Sequence, residues 1–353
     1  MMNLSDKRRL ASILIGSLVL FVVGLGQGIN AEASEKKSIT KIAIVAPEEG
    51  NDYGWNQEGV ESAKAVAKWL GAKIEVADGA GYGDIGPILR DLAKGGAQWI
   101  VAFASGYGTV APQIAQQTGV PVVVIGAYEQ GLIPGLSADI ETMAQEGSFL
   151  AGALAAKMSH SGTLGICMSA DDENWVKMAG GFVAGAKHVN PKIKIMMAQI
   201  GQAGYADAAG GKRVTKNLIS GGADIILGMG DGSTFGMIQA VETATPPKGA
   251  DKVWFIDVIG DKTSLDKKGI YLTTVKWDYL PMMKKVVEEL KAGTYGKKVH
   301  YIDLHNGGIK LIKTDYIPDD VWAEVQEIRA GIIDGKIKVP ELQKKKEIQA
   351  LIK

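Results

Sequence analysis

Short apolar segments alternate with amphipathic segments along most of the chain, and this alternation constrains the fold more than any other feature. Residues 42–46 are predicted to form a buried strand that ends at Pro47, and residues 58–70 place apolar side chains at helical spacing. Strand and helix repeat in units of about thirty residues, which is typical of a parallel sheet with right-handed crossovers. The sequence therefore predicts an α/β protein.

The alternation starts again after residue 158, which predicts two similar α/β halves. We expect the chain to cross between them near residues 159–162 and again near residues 276–278, so that two hinged lobes enclose a cleft. The predicted lobes are residues 34–158 with 278–300 and residues 159–277 with 301–340, followed by an amphipathic tail at residues 341–353. In open sheets ligands bind outside the carboxyl ends of strands, so the loops after the strands form the candidate site.

The first 33 residues have the three parts of a secretory signal peptide. Residues 7–9 are basic, residues 10–26 are apolar, and residues 31–33 (AEA) place small side chains around a cleavage site. We expect cleavage before Ser34 and a mature protein in the periplasm, without a lipid anchor because no cysteine lies near this site. The alternative is an uncleaved N-terminal anchor helix.

Composition argues against several classes of protein. The chain has 39 Lys and Arg against 39 Asp and Glu, so it lacks the basic surplus of a general nucleic-acid binder. Its one cysteine, Cys167, rules out an intramolecular disulfide and is expected to be a buried apolar residue. Four histidines without metal-binding spacing argue against a histidine-based metal site. The acidic run at residues 171–173 fits a solvated loop at a helix N-terminus better than a Ca²⁺ site.

Aromatic, polar and glycine residues recur together in the loops that follow the predicted strands of both halves. Aromatic rings offer flat apolar area to a planar ligand, polar side chains bond its edge, and glycines let the backbone approach it. Packing at the base of a loop explains any single aromatic residue more simply, whereas recurrence on both halves favours binding. The candidate ligand-binding residues in these loops are Asp52, Trp55, Asn56, Tyr107, Tyr128, Trp175, Tyr205, Asp207, Gly230, Asp231, Lys276 and Trp277.

Five segments of the chain resemble motifs of one protein family. Residues 52–59 (DYGWNQEG) are similar to its D-x-S/G-F/W-N-x-x-x-G signature, and further matches lie at residues 146–152, 180–186, 221–226 and 333–340. In this order they resemble the basic membrane protein family of periplasmic substrate-binding proteins, which includes purine-nucleoside receptors of ABC importers. The resemblance implies a two-lobed type I periplasmic-binding-protein fold, each lobe a parallel sheet flanked by helices, with a hinged cleft between.

The resemblance also implies roles for the matching residues. Trp55 stands where the family stacks an aromatic ring on the purine, Asn56 where it bonds the base, and Tyr205 where a second aromatic ring stacks, with Asp207 two residues on. Asp52 is the first residue of the same signature. The other matching positions are Gly230 in the loop that approaches the ligand, Lys276 after a matching strand, and Asp261 in a carboxylate motif.

Two departures from the family pattern bear on the ligand. Gly126 or Ala127 stands where nucleoside-binding members carry an Asp, and only Asp261 aligns within the V-D-x-D motif. Carboxylates at such places accept hydrogen bonds from sugar hydroxyls, so their loss weakens the recognition of ribose. Additional aromatic residues such as Tyr128 and Trp175 favour a smaller, fully stacked ring. We therefore expect a free purine base rather than a nucleoside.

The sequence as a whole predicts a binding protein rather than an enzyme. We expect a monomer that closes its lobes on the ligand and delivers it to ABC permease subunits, without a cofactor, a metal or nucleic acid. One alternative is a sensor domain of the same fold, which would need a signalling partner. The other is a dehydrogenase, because residues 228–232 (GMGDG) with Asp257 imitate a dinucleotide motif, although the spacing is not G-x-G-x-x-G.

Overall fold

The computed structural model describes residues 38–353, so the predicted signal peptide lies outside the described part of the chain. These residues form two six-stranded sheets. The strands of the first sheet are, in spatial order, β2 (Lys73–Ala77), β1 (Lys41–Val45), β3 (Ile100–Ala102), β4 (Val122–Ile125), β5 (Ser137–Thr142) and β11 (Val299–Ile302), all parallel.

The second sheet repeats this strand order. Its strands are β7 (Lys194–Gln199), β6 (Thr163–Met168), β8 (Ile225–Met229), β9 (Trp254–Ile259), β10 (Tyr271–Trp277) and β12 (Ile309–Leu311). The strands are parallel except for β12, which pairs antiparallel with β10 at the edge. Because parallel strands end at one edge of a sheet, the loops after β1, β8 and β9 can reach a common cleft.

Helices cover both faces of each sheet. On the first sheet, α1 (Trp55–Leu70) and α8 (Leu280–Ala292) pack on one face, and α2 (Gly86–Lys94) and α3 (Val110–Thr118) pack on the other. The helices of the second sheet are α6 (Ala208–Ser220) and α7 (Ser233–Glu242) on one face, and α4 (Ala144–Met158), α5 (Glu173–Val189), α9 (Asp319–Ile333) and α10 (Lys345–Ile352) on the other. The predicted two-lobed α/β architecture is thus confirmed.

The lobe boundaries expected from the sequence stay a prediction, and the strand order bears on where the chain crosses between the sheets. The chain passes from the first sheet to the second after β5, returns after β10 through α8 and β11, and passes over once more to β12, which makes three crossings. Helix α4, assigned by sequence to the first lobe, packs against α5, β10 and β12 of the second. We propose a first boundary near Met143, because α4 buries its apolar residues in the second lobe.

Four elements were absent from the sequence-based prediction: β5, β11, β12 and α9. In β5 the alternating Asp139 and Glu141 indicate a solvated strand, yet both carboxylates are buried. They are buried because they accept hydrogen bonds from backbone N–H groups of residues 127–129. The amphipathic tail forms α10 as expected and packs against α5 and β7. No helix within residues 38–353 combines the length and apolar character that crossing a bilayer requires.

Glycines bring α4 and α5 unusually close together. A Cβ atom on Gly152 would overlap the Phe182 carbonyl, and a Cβ on Gly185 would overlap the Phe149 carbonyl. The backbones of the two helices therefore touch where side chains would normally separate them. Two of the five family-like segments, residues 146–152 and 180–186, are the two sides of this contact.

Replacing Gly185 by Ala tests this packing. We expect Gly185→Ala to lower the free energy of unfolding by about 1–3 kcal/mol, because the new methyl group must push α5 away from the Phe149 carbonyl. Urea unfolding monitored by circular dichroism gives the midpoint. The matched control is Gly83→Ala, whose added Cβ meets nothing within 4 Å and should change stability by less than about 0.5 kcal/mol. Equal midpoints for Gly185→Ala and the unmodified protein would contradict the packing argument.

Candidate functional site

The two lobes meet through loops at the carboxyl ends of their strands. A Cβ atom on Gly260, after β9, would overlap the backbone carbonyl of Tyr53, after β1. A Cβ on Gly54 would lie 2.9 Å from the Oδ1 atom of Asp231, which follows β8. Glycine at these two positions therefore allows the lobes to approach backbone to backbone, and the residues around the contact form the candidate site.

Asp52 and Asn56 shape the first-lobe side of this contact. The Asp52 carboxylate accepts the backbone N–H groups of Gly54 at 2.9 Å and Gln57 at 3.0 Å, which fixes the first turn of α1. It also accepts the Asn56 side-chain amide at 2.9 Å. Asn56 is 1% exposed, and its Oδ1 accepts the backbone N–H of Glu48. Both side chains bond within the protein in this structure, so the predicted contact between Asn56 and a base stays a prediction.

Trp55 is held at the start of α1 by aromatic neighbours. Its ring centroid lies 4.4 Å from that of Phe103, and its indole N–H donates to the Tyr279 hydroxyl at 3.2 Å. Burial raises the pKa of Tyr279, so its hydroxyl stays neutral. Tyr279 also lies 3.4 Å, oxygen to oxygen, from the Thr142 hydroxyl at the end of β5. These contacts fix the orientation of the Trp55 ring, as a stacking residue requires.

Asp172 joins the second-lobe side of the site. One carboxylate oxygen caps α5 through the Asn174 N–H at 2.8 Å, and the other accepts the Tyr205 hydroxyl at 3.1 Å. Burial, followed by the negative charge of Asp172, raises the pKa of Tyr205. Tyr128 comes from the first lobe, and its ring centroid lies 5.1 Å from the Lys177 ammonium group of α5. Burial raises the pKa of Tyr128, and the negative charges of Glu173, Glu141 and Asp172 add to that rise.

Lys276 and Glu58 form an ion pair between the lobes. The Lys276 ammonium lies 2.7 Å from the Glu58 carboxylate of α1. Burial raises the pKa of Glu58, while the hydrogen bond and positive charge of Lys276 oppose that rise. Lys276 was predicted to contact ligand, but here it is engaged by Glu58, a partner that the sequence analysis did not identify.

Asp231 is a buried acid at the contact between the lobes. Its side chain is 8% exposed, and burial together with the negative charges of Asp52 and Glu48 raises its pKa to about 7. Lys262 opposes this rise. That lysine lies 2.8 Å from Asp257, and both members of this ion pair are fully buried. Burial raises the pKa of Asp257 as well, and Lys262 lowers it.

Several predicted site residues lie in the lobe interiors or cap short elements instead. Tyr107 is fully buried, and its hydroxyl donates to the Gly81 carbonyl. The Trp175 indole N–H donates to the Ser169 hydroxyl at 3.0 Å. Trp277 packs beside Tyr279. Asp207 accepts the Gly210 N–H at the start of α6, and Asp261 accepts the Thr263 N–H. For the three aromatics the simpler interpretation, packing at the base of a loop, describes this structure. Burial raises the pKa of Tyr107 to about 12.

The glycine run at residues 228–232 has a packing role. A Cβ on Gly228 would overlap the Phe255 ring, and one on Gly230 would overlap the Ser233 hydroxyl. Cys167 is buried as expected, and burial raises its pKa to about 12.

The acidic run at residues 171–173 is bound to positive side chains of the protein. Asp171 pairs with Lys345 at 3.0 Å, and Glu173 pairs with Lys177 at 3.2 Å. Within residues 38–353 no group of three or more His, Cys, Asp or Glu side chains is arranged to hold a metal ion.

Some residues near the contact between the lobes were not among the candidates from the sequence, because the sequence around them indicates a binding site only weakly. Glu58 stands inside the matched motif, and Tyr279 ends the loop after β10, but neither type of residue alone indicates a site. Tyr82, whose hydroxyl lies 3.3 Å from Glu48, belongs to a loop after an edge strand. Only the three-dimensional contact shows that these residues meet.

Comparison with known proteins identifies the family. Residues 39–343 match the model of the Bmp family, described as ABC transporter substrate-binding protein PnrA-like. The chain belongs to this family. Basic membrane protein A1 of Borrelia garinii is 26% identical over 329 residues, covering 92% of this chain and 95% of that protein. A purine-binding protein of Brucella abortus is 26% identical and covers 91% and 87% of the two chains.

A further relative matches over a shorter range, and solved structures share the fold. A protein of Lactococcus lactis named ABC transporter nucleoside-binding protein BmpA is 29% identical over 206 residues, 55% of this chain and 58% of that protein. Among solved structures, a solute-binding protein of an ABC transporter from Conexibacter woesei superposes with a TM-score of 0.71 at 22% identity, covering 86% of this chain and all of that chain. The fold is therefore that of the type I periplasmic binding proteins.

The buried Asp257–Lys262 pair allows a stability test. Lys262→Met leaves the Asp257 carboxylate buried without its partner, which we expect to lower the free energy of unfolding by about 3–5 kcal/mol at pH 8. The folded-state pKa of Asp257 is already raised and rises further in the variant. The protein therefore loses stability as pH rises above about 4, the pKa of an unfolded Asp, and the defect is smaller at pH 5.

Chemical unfolding of the variant at pH 5 and pH 8 measures this difference. The double variant Asp257→Asn/Lys262→Met is the control, because it removes both charges and should recover part of the loss. A single variant with the stability of the unmodified protein at pH 8 would show that the pair contributes nothing.

Proposed function

We propose that this Bmp-family protein binds a purine base or nucleoside between its lobes outside the cytoplasm and delivers it to the permease subunits of an ABC importer. The observation that carries the proposal is the fixed Trp55 ring beside the contact between the lobes. The names of two relatives, a purine-binding protein and a nucleoside-binding protein, support the same ligand class. Cleavage before Ser34 and a monomeric state belong to the proposal.

The mechanism is binding coupled to lobe closure, without a chemical step. A purine stacked on Trp55 from the first lobe meets Tyr205 and Asp231 of the second only when the lobes are in contact. The ligand therefore stabilises the closed state by its differential affinity for that state. The closed state is the form that the permease recognises.

A free base fits the carboxylates near β4 better than a nucleoside does. Asp139 and Glu141 lie beside Ala127, where nucleoside-binding members carry their Asp. Both oxygens of Asp139 accept backbone N–H groups, at 3.2 Å and 2.9 Å, and one oxygen of Glu141 accepts the Tyr128 N–H at 2.6 Å. Carboxylate oxygens that already accept backbone N–H groups of the loop are less available to ribose hydroxyls, and this supports the preference for a base over a nucleoside.

Trp55→Ala tests the stacking residue. We expect this change to weaken purine binding by about 1–3 kcal/mol, a five- to 150-fold rise in Kd, because base–aromatic stacking is lost. Trp55→Phe keeps a ring and should lose less. The matched control is Trp69→Ala, which removes an exposed ring at the other end of α1. Isothermal titration with adenine measures each Kd, and unchanged affinity in Trp55→Ala would remove Trp55 from the site.

A ligand panel tests the ligand class and its preference. We expect adenine and hypoxanthine to raise the melting temperature more than adenosine or inosine at equal concentration, since a ligand at about 100 times its Kd stabilises by about 2.7 kcal/mol. Titration then ranks the affinities. Adenosine binding at least tenfold tighter than both bases would overturn the preference for a base, and stabilisation by sugars alone would overturn the purine proposal.

A further inference from the structure

The loop after β8 places an unpartnered carboxylate oxygen at the contact between the lobes. Asp231 is 8% exposed, and its Oδ1 has no hydrogen-bond partner among the described residues. The Ser233 hydroxyl in the same loop is also buried without a partner within residues 38–353. A buried polar atom left without a partner costs free energy comparable to a lost hydrogen bond, so native proteins keep few of them. A hydrogen-bond donor on a ligand would therefore satisfy Asp231 Oδ1, which has no donor among the described residues.

The surroundings of Asp231 favour a donor rather than a second acceptor. The titratable groups that face it are Glu48 and Asp52 from the loop after β1, Tyr82 from the loop after β2, Tyr205 from the loop after β7, and Lys262 from the loop after β9. Lys262, the cation of this set, is bound to Asp257 at 2.8 Å. A ligand that presents an N–H group here would satisfy Oδ1, whereas one that presents a carbonyl would add another negative end.

Space at this oxygen limits the kind of donor. Oδ1 lies 2.9 Å from the position that a Cβ on Gly54 would occupy, directly before Trp55 in the chain. A small N–H group without a substituent is the donor that fits so confined an acceptor. A nitrogen that carries a sugar or an alkyl group has no hydrogen to donate to Oδ1.

We propose that Asp231 is a specificity-determining residue that accepts the imidazole N–H of a free purine base, so that the site selects bases over purines substituted at that nitrogen. This proposal rests on the purine-binding function proposed above. Asp231 forms no covalent bond with the ligand; it is an acceptor whose occupation accompanies closure of the lobes. A site built to bond an N–H group rejects analogues that lack it, because its buried acceptor then stays unpaired.

The test compares adenine with 9-methyladenine, which replaces the ring N–H by a methyl group. We expect the unmodified protein to bind adenine at least tenfold more tightly than 9-methyladenine. In Asp231→Asn, which keeps the shape but not the charge, the ratio of the two Kd values should fall at least tenfold, because the charge-assisted bond is lost. A purely steric effect of the methyl group would leave the ratio unchanged in this variant, and that result would overturn the proposal.

The pH profile gives a second readout that does not depend on the variant. Ionised Asp231 is the stronger acceptor, and burial with the neighbouring charges raises its pKa to about 7 in the unliganded protein. Adenine should therefore bind more tightly at pH 8 than at pH 6 in the unmodified protein, while 9-methyladenine should show less than half of that change. Equal pH profiles for the two ligands would contradict the proposal even if Asp231→Asn failed to fold.

Two controls separate this inference from the proposed function. Asp91→Asn removes an exposed carboxylate on α2 and should leave both Kd values unchanged. If the unmodified protein binds no purine, the proposed function fails and Asp231 loses its assigned ligand. If it binds adenine and 9-methyladenine equally well, purine binding stands and the role of Asp231 alone is wrong.

Discussion

The site depends on the backbone contact between the lobes at Gly54 and Gly260. A side chain at Gly260 would occupy the place of the Tyr53 carbonyl, and one at Gly54 would press on Asp231. These glycines bring the loops after β1, β8 and β9 together, and with them Trp55 and Asp231. Without this close approach the polar groups of each lobe would face water, and a ligand bound to one lobe would gain nothing from the other.

Carboxylates that the contact between the lobes brings together need positive side chains to balance their negative charge. Contact between the lobes gathers carboxylates from both, and three lysines pair with four carboxylates: Lys276 with Glu58, Lys262 with Asp257, and Lys177 with Glu173 and Glu341. The positive charge of Lys262 lowers the pKa of Asp231, but burial and the negative charges of Asp52 and Glu48 raise it by more. A neutral ligand with hydrogen-bond donors suits such a cleft better than an anion does.

The sequence predicted the two-sheet architecture well, because the spacing of apolar residues indicates which face of each strand or helix is buried. Strand and helix alternation located both sheets, and it failed at β5, where Asp139 and Glu141 are buried by bonds to a neighbouring loop that no periodic pattern encodes. The boundary that we propose near Met143 differs from the expected one because α4 follows a first-lobe strand but buries its small residues on α5. Which sheet an amphipathic helix covers is decided by tertiary packing.

The binding residues expected from the sequence stay a prediction, and the sequence could not show where their side chains lie. Aromatic residues after strands were treated alike, although Tyr107, Trp175 and Trp277 lie in the lobe interiors. A loop composition cannot distinguish a ring that faces the cleft from one that anchors the loop base. The family-like motifs divide in the same way: residues 52–59 shape the cleft, whereas residues 146–152 and 180–186 serve the contact of α4 with α5.

Tyr279 connects Trp55 to the segments at which the chain crosses between the lobes. It follows β10, at the second crossing, and its hydroxyl contacts both the Trp55 indole and the Thr142 hydroxyl, just before the first crossing. Tyr279 directly precedes α8, and Thr142 ends β5, so these contacts support the Trp55 ring from within the first lobe. The orientation of the Trp55 ring is therefore set within one lobe, and the contact at Gly54 and Gly260 is what brings the loops of the second lobe towards it.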